Sequence, residues 1–175
     1  MRAGEIIVVK QLGCIVLLAV AVTTSASAGV TKLVMGALQK SYSVYEDDIV
    51  NTSSTGYVDI PGARVVDNVG GSTNVAYHVT FSGACSIDAT GSLEEIQVRI
   101  RVRINGKDMG PSTSQILCED FDDGTATPTF AASVQWAAKD IPPGRNVIKA
   151  QWAAEGGFTG VLDLYHFTVR RHANN

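Results

Sequence analysis

Three arginines spaced two residues apart are the chemically most distinctive feature of the sequence. Arg99, Arg101 and Arg103 alternate with apolar residues, so an extended strand would place them on one face, in a stripe about 13 Å long. Guanidinium groups donate paired hydrogen bonds to carboxylate, sulfate or phosphate, and they stack on sugars and aromatic rings. The stripe predicts a face that contacts an anionic polysaccharide or a subunit. The alternative is a solvent face whose arginines pair with carboxylates on neighbouring strands.

An acidic loop, Glu119–Gly124, offers the oxygen ligands that calcium requires. Asp120 and Asp122 are two residues apart, and Gly124 follows them, as in part of a calcium-binding loop. The run lacks the distal glutamate of an EF-hand, so further ligands, for instance Asp88, would have to come from elsewhere. We expect no resident cofactor and keep calcium at Asp120 and Asp122 as the alternative to a solvated loop.

Catalytic motifs are missing from the sequence. It contains no G-x-S-x-G, no H-E-x-x-H, no phosphate-binding loop and no dinucleotide fingerprint. His78 and His166 lie opposite the aromatic residues of their strands, which predicts solvent-exposed imidazoles, with a metal pair across neighbouring strands as the alternative. Glu94 and Glu95 lie beside the arginine-bearing strand, and as adjacent residues on a strand they would point to opposite faces, so they cannot form a glycosidase pair by themselves. We expect them to be solvated loop charges. We predict a non-catalytic protein; a hydrolase would need carboxylates from distant strands.

Residues 1–28 have the pattern of a secretory signal peptide. Arg2 and Lys10 supply positive charge, Leu12–Val22 is apolar apart from one glycine, and Ala26-Ser27-Ala28 is a small-x-small cleavage site. We therefore predict cleavage after Ala28 and a secreted product, either extracellular or periplasmic.

An uncleaved membrane anchor over Ile6–Val22 is the alternative to cleavage. Lys10 would then lie inside the membrane, at a cost of about 2.5–3.5 kcal/mol for a central lysine. Cleavage leaves residues 29–175 as a single domain with no membrane span. The net charge of −3 and the 18% of charged residues exclude a polybasic nucleic-acid binder, and 45% hydrophobic residues exclude disorder.

The cysteines predict one disulfide. Cleavage removes Cys14 and leaves Cys85 and Cys118, which in an exported chain most simply pair with each other. The bridge would close a loop of about 32 residues and contribute about 3–4 kcal/mol in the chain-entropy model. A metal pair is the competing interpretation, although no C-x-x-C and no nearby histidine supports it. Free thiols would follow if the signal-peptide prediction were wrong.

Period-2 alternation dominates the chain after residue 28. In residues 97–104, four β-branched residues alternate with glutamine and arginine, and only a strand can bury all four β-branched residues on one face. Asn105-Gly106 follows and predicts a hairpin turn. The other predicted strands are Val75–Phe81, Phe130–Ala137, Val147–Ala153 and Val161–Arg170, with weaker candidates at Val30–Leu38, Gly56–Ile60 and Ala63–Val69. Thr31–Gln39 could instead form a short helix. Seven to nine short strands predict an all-β, antiparallel, two-sheet β-sandwich or jelly roll.

The segment Gln135–Ala138 has the sequence QWAA, which recurs at Gln151–Ala154. The turn Asp140–Gly144, with two prolines, lies between the two copies. We expect them to lie on two paired strands of one hairpin, each of which contributes a tryptophan to the core.

Several segments resemble, in order, a group of bacterial secreted β-sandwich proteins for which no activity is established. The resemblance covers roughly residues 57–170 and implies an exported jelly-roll-like fold, with no catalytic residue to transfer. The motifs that carry it are Tyr57–Ala63, His78–Cys85, Val102–Lys107, Cys118, Ile141–Val147 and Ala150–Trp152.

Together these features predict a secreted, non-catalytic protein with a structural or interaction role, which self-association would satisfy. The alternative is a carbohydrate-binding protein that uses the arginine-bearing face or an exposed tryptophan or tyrosine on a sheet. The expected partner is a second copy, an extracellular glycan or another protein, and not nucleic acid. Burial of Trp136 and Trp152 would exclude them from stacking on a sugar.

Overall fold

The computed structural model describes residues 35–88, 96–110, 114–120 and 129–174, which belong to one compact unit, Leu33–Asn175. The described residues form ten β-strands in two antiparallel sheets that pack against each other, so the predicted β-sandwich is confirmed. The strands are β1 (Leu38–Glu46), β2 (Val50–Thr52), β3 (Val58–Val69), β4 (Val75–Asp88), β5 (Ile96–Ile104), β6 (Lys107–Asp108), β7 (Gln115–Asp120), β8 (Phe130–Ile141), β9 (Gly144–Ala154) and β10 (Thr159–Ala173).

Each sheet contains five of these strands. Sheet 1 has the order β1-β10-β4-β8, and β2 pairs with β10 beside β1. Sheet 2 has the order β3-β9-β5-β6, and β7 also pairs with β5. A single 3-10 turn, Glu155–Gly157, lies between β9 and β10. No helix of the described residues is long and apolar enough to cross a membrane.

The core lies between the two sheets and follows from the alternation along each strand. The four β-branched residues of β5 that alternate with arginine are all buried, as predicted. Phe81 of β4 stacks on Tyr165 of β10 with their ring centroids 5.3 Å apart. The largest fully buried side chains are Trp136, Trp152, Tyr77, Tyr165, Phe81 and Phe167. Aromatic side chains on inward positions therefore fill the space between the layers.

The predicted disulfide is present. Cys85 of β4 and Cys118 of β7 are bonded, with their Cα atoms 5.9 Å apart. Because β4 belongs to sheet 1 and β7 to sheet 2, the bond links the two layers of the sandwich across the core.

The predicted tryptophan hairpin is wrong. Strand β8 pairs with β4 in sheet 1, whereas β9 pairs with β3 and β5 in sheet 2. The turn at Pro142-Pro143 carries the chain from one sheet to the other, since two prolines cannot donate the backbone hydrogen bonds that continue a ladder. Trp136 and Trp152 are each 1% exposed, so both belong to the core, as expected.

The strand count and some boundaries also differ from the predictions. The described residues form ten strands rather than seven to nine, because the edge strands β2 and β6 are too short to give a sequence pattern. The two strands predicted over Gly56–Ile60 and Ala63–Val69 form one strand, β3, with a register shift around Gly62, which has φ of 77°. The hairpin turn at Asn105-Gly106 is confirmed, with φ of 50° and 81°.

The first described strand begins later than predicted. Strand β1 starts at Leu38, so residues 35–37, the described part of the predicted strand Val30–Leu38, precede it, although Gly36 and Ala37 exchange backbone hydrogen bonds with Ala173 of β10. Gln39 lies in β1 and not in a helix. The inward-facing residues Tyr42 and Val44 of β1 alternate with polar or exposed neighbours. This alternation is too short to identify the strand from the sequence. The signal-peptide residues 1–28, and with them Cys14, lie outside the described residues.

Candidate functional site

The outer surface of sheet 2, which we call the arginine face, carries the predicted stripe. Val98, Ile100 and the next two alternate residues of β5 point into the core, so Arg99, Arg101 and Arg103 must point outward. All three are partly exposed. The structure therefore brings the predicted residues together on one accessible face.

Two of the arginines form ion pairs with carboxylates that follow a neighbouring strand or a turn. Arg99 Nε lies 2.5 Å from a carboxylate oxygen of Glu155, and its Nη2 donates to Gln97 Oε1 at 2.8 Å. Arg103 Nε lies 3.0 Å from Asp108 Oδ1, and its Nη2 donates to the carbonyl of Gly106. Each charge is thus matched by one close carboxylate at the surface.

The middle arginine lies in a denser network. Arg101 Nε donates to Gln151 Oε1 at 3.0 Å, and its Nη1 is 3.7 Å from Asp108. Its guanidinium carbon lies 4.1 Å from the centroid of the Tyr57 ring, a cation–π geometry. The pairing with carboxylates that we weighed as the alternative is therefore observed, while a ligand role of the stripe stays a prediction.

Sheet order adds two cations that sequence spacing did not reveal. Lys149 of β9 is directly opposite Arg103 of β5 on one side and Arg64 of β3 on the other. We call these three residues the cation row. They are far apart in sequence, so only knowledge of which strands are neighbours could have joined them. The row runs perpendicular to the strands and crosses the stripe at Arg103.

A carboxylate between β3 and β9 partly neutralises this row. Asp59 accepts from Lys149 Nζ at 2.8 Å and from Gln151 Nε2 at 2.6 Å. Burial raises the pKa of Asp59, but the hydrogen bonds from Lys149 and Gln151, together with the charges of Lys149 and Arg64, outweigh it and lower the pKa below its usual range. Asp59 is therefore a carboxylate anion at neutral pH. Arg64 itself makes no hydrogen bond or ion pair within the described residues.

The outer surface of sheet 1 has a different character, and we call it the neutral face. It is formed by alternate residues of β1, β10, β4 and β8, and register places them in rows across the sheet. Arg170 and Lys139 are the formally charged residues among those that define the face, counting histidine as neutral, and both lie at the same end of it. The residues that define the face are Ser41, Ser43, Tyr45, His78, Thr80, Ser82, Ala84, Ala131, Ser133, Gln135, Ala137, Lys139, Leu164, His166, Thr168 and Arg170.

The two histidines of the neutral face are solvent-accessible, as predicted, and they lie apart. His166 is opposite Ser82, four residues along β4 from His78, which corresponds to about 13 Å at the strand rise. His78 Nε2 is 3.1 Å from Gln135 Oε1, and His166 Nε2 contacts Ser43 Oγ. The structure does not bring the imidazoles together as a metal pair.

A buried carboxylate that the sequence did not single out joins the two sheets. Asp67 of β3 accepts from Tyr42 Oη at 2.5 Å, from Tyr77 Oη at 2.8 Å and from Arg171 Nη1 at 3.1 Å to each oxygen. We call these four residues the Asp67 cluster. Burial raises the pKa of Asp67, but the hydrogen bonds from both tyrosines and the nearby guanidinium outweigh it and lower the pKa. Burial, followed by the hydrogen bond to Asp67, raises the pKa of Tyr77.

The described residues do not test the predicted calcium site. Asp120 ends β7, but its side chain and all of Asp122 lie outside the described residues, as do Glu94 and Glu95. A different acidic group, Glu46-Asp47-Asp48 at the end of β1, has carboxylate oxygens within 4.8 Å of one another. These residues are at the surface, where acidic groups commonly occur without an ion.

Comparisons with known proteins return little. No protein-family model matches the sequence, and no curated protein is similar to it. One solved structure with a partial similarity is dimeric latent PorU from Porphyromonas gingivalis, with 10% sequence identity and a TM-score of 0.33. The alignment covers 82% of this chain and 14% of that chain, so this chain spans about one-seventh of its length. A similarity of this size does not establish a shared fold or function.

Proposed function

We propose that the protein is exported and serves as a non-catalytic extracellular or periplasmic protein that associates with a second copy of itself through the neutral face. The observation that carries this proposal is the charge distribution on that face, whose centre is uncharged and whose two ends carry opposite charge. Export is supported by the signal-peptide pattern of residues 1–28 and by a disulfide, which persists in oxidising compartments.

The two carboxylates with shifted pKa values are not suited to act as general acids. A general acid needs a raised pKa so that it holds a proton at neutral pH. Asp59 and Asp67 instead have lowered pKa values, because both accept hydrogen bonds from cationic or hydroxyl donors. Both carboxylates act as acceptors that tie strands together.

The centre of the neutral face suits contact with another protein surface. Two rows cross it, one from Ser43 through Thr168 and Thr80 to Gln135, and the next from Tyr45 to Ser133. Covering neutral hydroxyl and amide groups costs less desolvation energy than covering charges. Tyr45 is 64% exposed and supplies apolar area at one end of its row.

The ends of the face make it self-complementary. Arg170 lies opposite Ser41 on β1, whereas Asp47 and Asp48 follow the other end of β1, about 20 Å away at the strand rise. A twofold axis in the plane of the face and perpendicular to the strands would place each Arg170 opposite the acidic end of the other copy. The same rotation would place uncharged centre against uncharged centre. Arg170 makes no hydrogen bond or ion pair within the described residues, so it is available for such a contact.

The size of the face indicates a weak dimer. Four strands about 4.8 Å apart and about six residues long span roughly 400 Å² on each copy, below the roughly 800 Å² per partner of a standard interface. We therefore expect a dissociation constant in the micromolar range rather than a permanent dimer.

Sedimentation velocity of the exported protein over a range of concentrations tests the proposal. We expect a monomer–dimer equilibrium that Thr80→Lys abolishes, since the substitution puts an unpaired charge at the centre of the contact. Ile116→Lys on β7 is the matched control, because it places the same charge at an exposed position of the other sheet. A protein that stays monomeric at the highest concentration, or a dimer unaffected by Thr80→Lys, would overturn the proposal.

A charge exchange tests the orientation of the two copies. Arg170→Asp and Asp47→Arg with Asp48→Arg should each weaken the dimer, and their combination should restore it. Persistent weakening in the combined variant would contradict the twofold arrangement. N-terminal sequencing of the same exported material should begin at Gly29, and an intact leader would contradict the cleavage site.

A further inference from the structure

The cation row is short of negative partners. Arg103 has Asp108, and Lys149 has Asp59, but Arg64 is exposed and has neither a hydrogen bond nor an ion pair within the described part of the chain. Like charges directly opposite each other on neighbouring strands destabilise a sheet. An external anion bound at the cation row would therefore reduce the repulsion among its three cations.

The rest of the arginine face is also positive on balance. Among the described residues, six cations point outward from sheet 2, against four carboxylates at or beside the same surface. The cations are Arg64, Arg99, Arg101, Arg103, Arg145 and Lys149, and the carboxylates are Asp59, Asp108, Glu119 and Glu155. The chain as a whole has a net charge of −3. Positive charge is thus concentrated on one face of an acidic protein, which attracts anions to that face.

We propose that the arginine face binds an anionic polysaccharide and that the cation row is its main contact. This inference concerns the face opposite the proposed dimer contact and does not depend on self-association. The sugar polymer would cross the strands along the row, and its acidic groups would lie beside Arg103, Lys149 and Arg64 in turn.

Spacing favours a polymer over a single small anion. Neighbouring strands are about 4.8 Å apart, so the three cations of the row recur at that interval. A sugar ring in an extended polysaccharide has a similar length, so a polymer with one acidic group on each sugar can present one anion to each strand. A lone phosphate or carboxylate would reach only one or two of the three cations.

The surroundings of the row suit sugar rings. The guanidinium carbon of Arg101 lies over the Tyr57 ring, and the Nε of Arg101 is anchored by Gln151. A guanidinium plane fixed in this way offers a flat, polar surface on which a sugar can stack. Asp59, whose side chain is 54% exposed, adds acceptor oxygens beside Lys149, so the hydroxyl groups of the ligand would meet a hydrogen-bond acceptor next to the cations.

Calorimetric titration of the intact exported protein with defined polymers tests this assignment. The probes are alginate oligomers, which carry carboxylates, heparin oligomers, which carry sulfates as well, and neutral dextran. At low salt we expect binding of at least one acidic polymer and none of dextran, and we expect the affinity to fall as salt is added, because exposed charges are screened. A response to alginate would identify uronate carboxylate as sufficient, and a response to heparin alone would identify sulfate.

Matched charge reversals locate the binding site. Arg64→Glu should weaken binding of the acidic polymer tenfold or more, whereas Arg64→Lys, which keeps the charge, should change it by less than about threefold. Lys139→Glu on β8 makes the same change in net charge on the other sheet and should have less than a twofold effect. Because Arg64 is exposed, its variants should change the free energy of unfolding only slightly and should remain folded.

Three results would overturn the proposal. They are no binding of either acidic polymer, equal weakening by Arg64→Glu and Lys139→Glu, and equally tight binding of double-stranded DNA that Arg64→Glu also weakens. The last result would identify a general polyanion surface rather than a polysaccharide site. The dimer-disrupting Thr80→Lys should retain polymer binding, so failure of the self-association proposal would not be mistaken for failure of this one.

Discussion

The Asp67 cluster and the arginine face use the same chemistry in different surroundings. Both join carboxylates to arginine and to polar side chains from other strands. Asp67 is 0% exposed and joins β3 of sheet 2 to three strands of sheet 1, whereas the Asp59 side chain on the arginine face is 54% exposed. The difference shows that water access, rather than the number of ion pairs, separates charges that hold the sandwich together from charges that remain available to a ligand.

The difference in solvent exposure sets how much each ion pair contributes to the free energy of unfolding. Breaking a buried ion pair by removing one partner typically costs about 3–5 kcal/mol, because the other charge is left without compensation. Exposed pairs contribute about 0–1 kcal/mol, because water and salt replace them. The buried cluster should therefore dominate stability although the arginine face has more ion pairs.

The largest effect is expected from Asp67→Asn. The change keeps the shape of the side chain and removes its charge, which leaves Arg171 and the hydroxyl of Tyr77 without an anionic acceptor. The free energy of unfolding at pH 7, measured by urea denaturation, should fall by about 3 kcal/mol. The same change at Asp59 should cost less than about 1 kcal/mol. Equal losses at both positions would remove the distinction between the two networks.

The pH dependence of this difference provides a second check. The pKa of Asp67 is lower in the folded protein than in the unfolded chain, so its contribution is fully present above the unfolded pKa of about 4 and is lost as pH falls through the folded pKa. The stability gap between the wild type and Asp67→Asn should therefore be constant near neutral pH and should shrink below about pH 4. A gap that persists in acid would point to packing rather than charge.

An intermediate effect is expected at alkaline pH. Burial, and then the charge of Glu46, raises the pKa of Tyr165 to about 12, and the pKa of Tyr77 is raised as well. The unfolded chain loses these protons from about pH 10, so stability should fall above that pH by up to about 1.4 kcal/mol per pH unit for each tyrosine. Tyr165→Phe should reduce the slope measured by urea denaturation between pH 10 and 11. An unchanged slope would contradict the assignment.

The smallest effect is expected from Asp108→Asn on the arginine face. Asp108 lies near both Arg101 and Arg103, but all three are partly exposed. The free energy of unfolding should change by less than about 1 kcal/mol, and 0.5 M NaCl should remove the difference from wild type. A loss as large as that of Asp67→Asn would show that the exposed network is also structural.

Local patterns predicted one strand at a time, but not which strands become neighbours. The alternation of residues 97–104 fixed both the buried side and the arginine side of β5, and two cysteines were enough to pair Cys85 with Cys118. The cation row depends on β3 and β5 flanking β9, a sheet order that no local pattern contains. Asp67 was missed for the same reason, because a carboxylate between valine and asparagine becomes a buried acceptor only when another sheet brings tyrosines and Arg171 to it.

The tryptophan segments illustrate the limit of repeated sequence. Two similar strands joined by a short turn would ordinarily form a hairpin, and the expected burial of Trp136 and Trp152 was correct. The expected pairing of the two strands was wrong, because two prolines in the turn favour a change from one sheet to the other over a continued ladder. Identical local sequences can therefore have the same burial and different partners.

The position of β10 bears on how this chain is made. It begins roughly 110 residues after β1 ends, yet it lies between β1 and β4, so both of those strands lack a neighbour until it arrives. A nascent chain in which residues 159–173 are still inside the ribosome cannot complete sheet 1, although β4 and β8 can already pair. The export that we propose requires passage of an unfolded polypeptide, and late synthesis of a central strand would delay completion of the fold until after that passage.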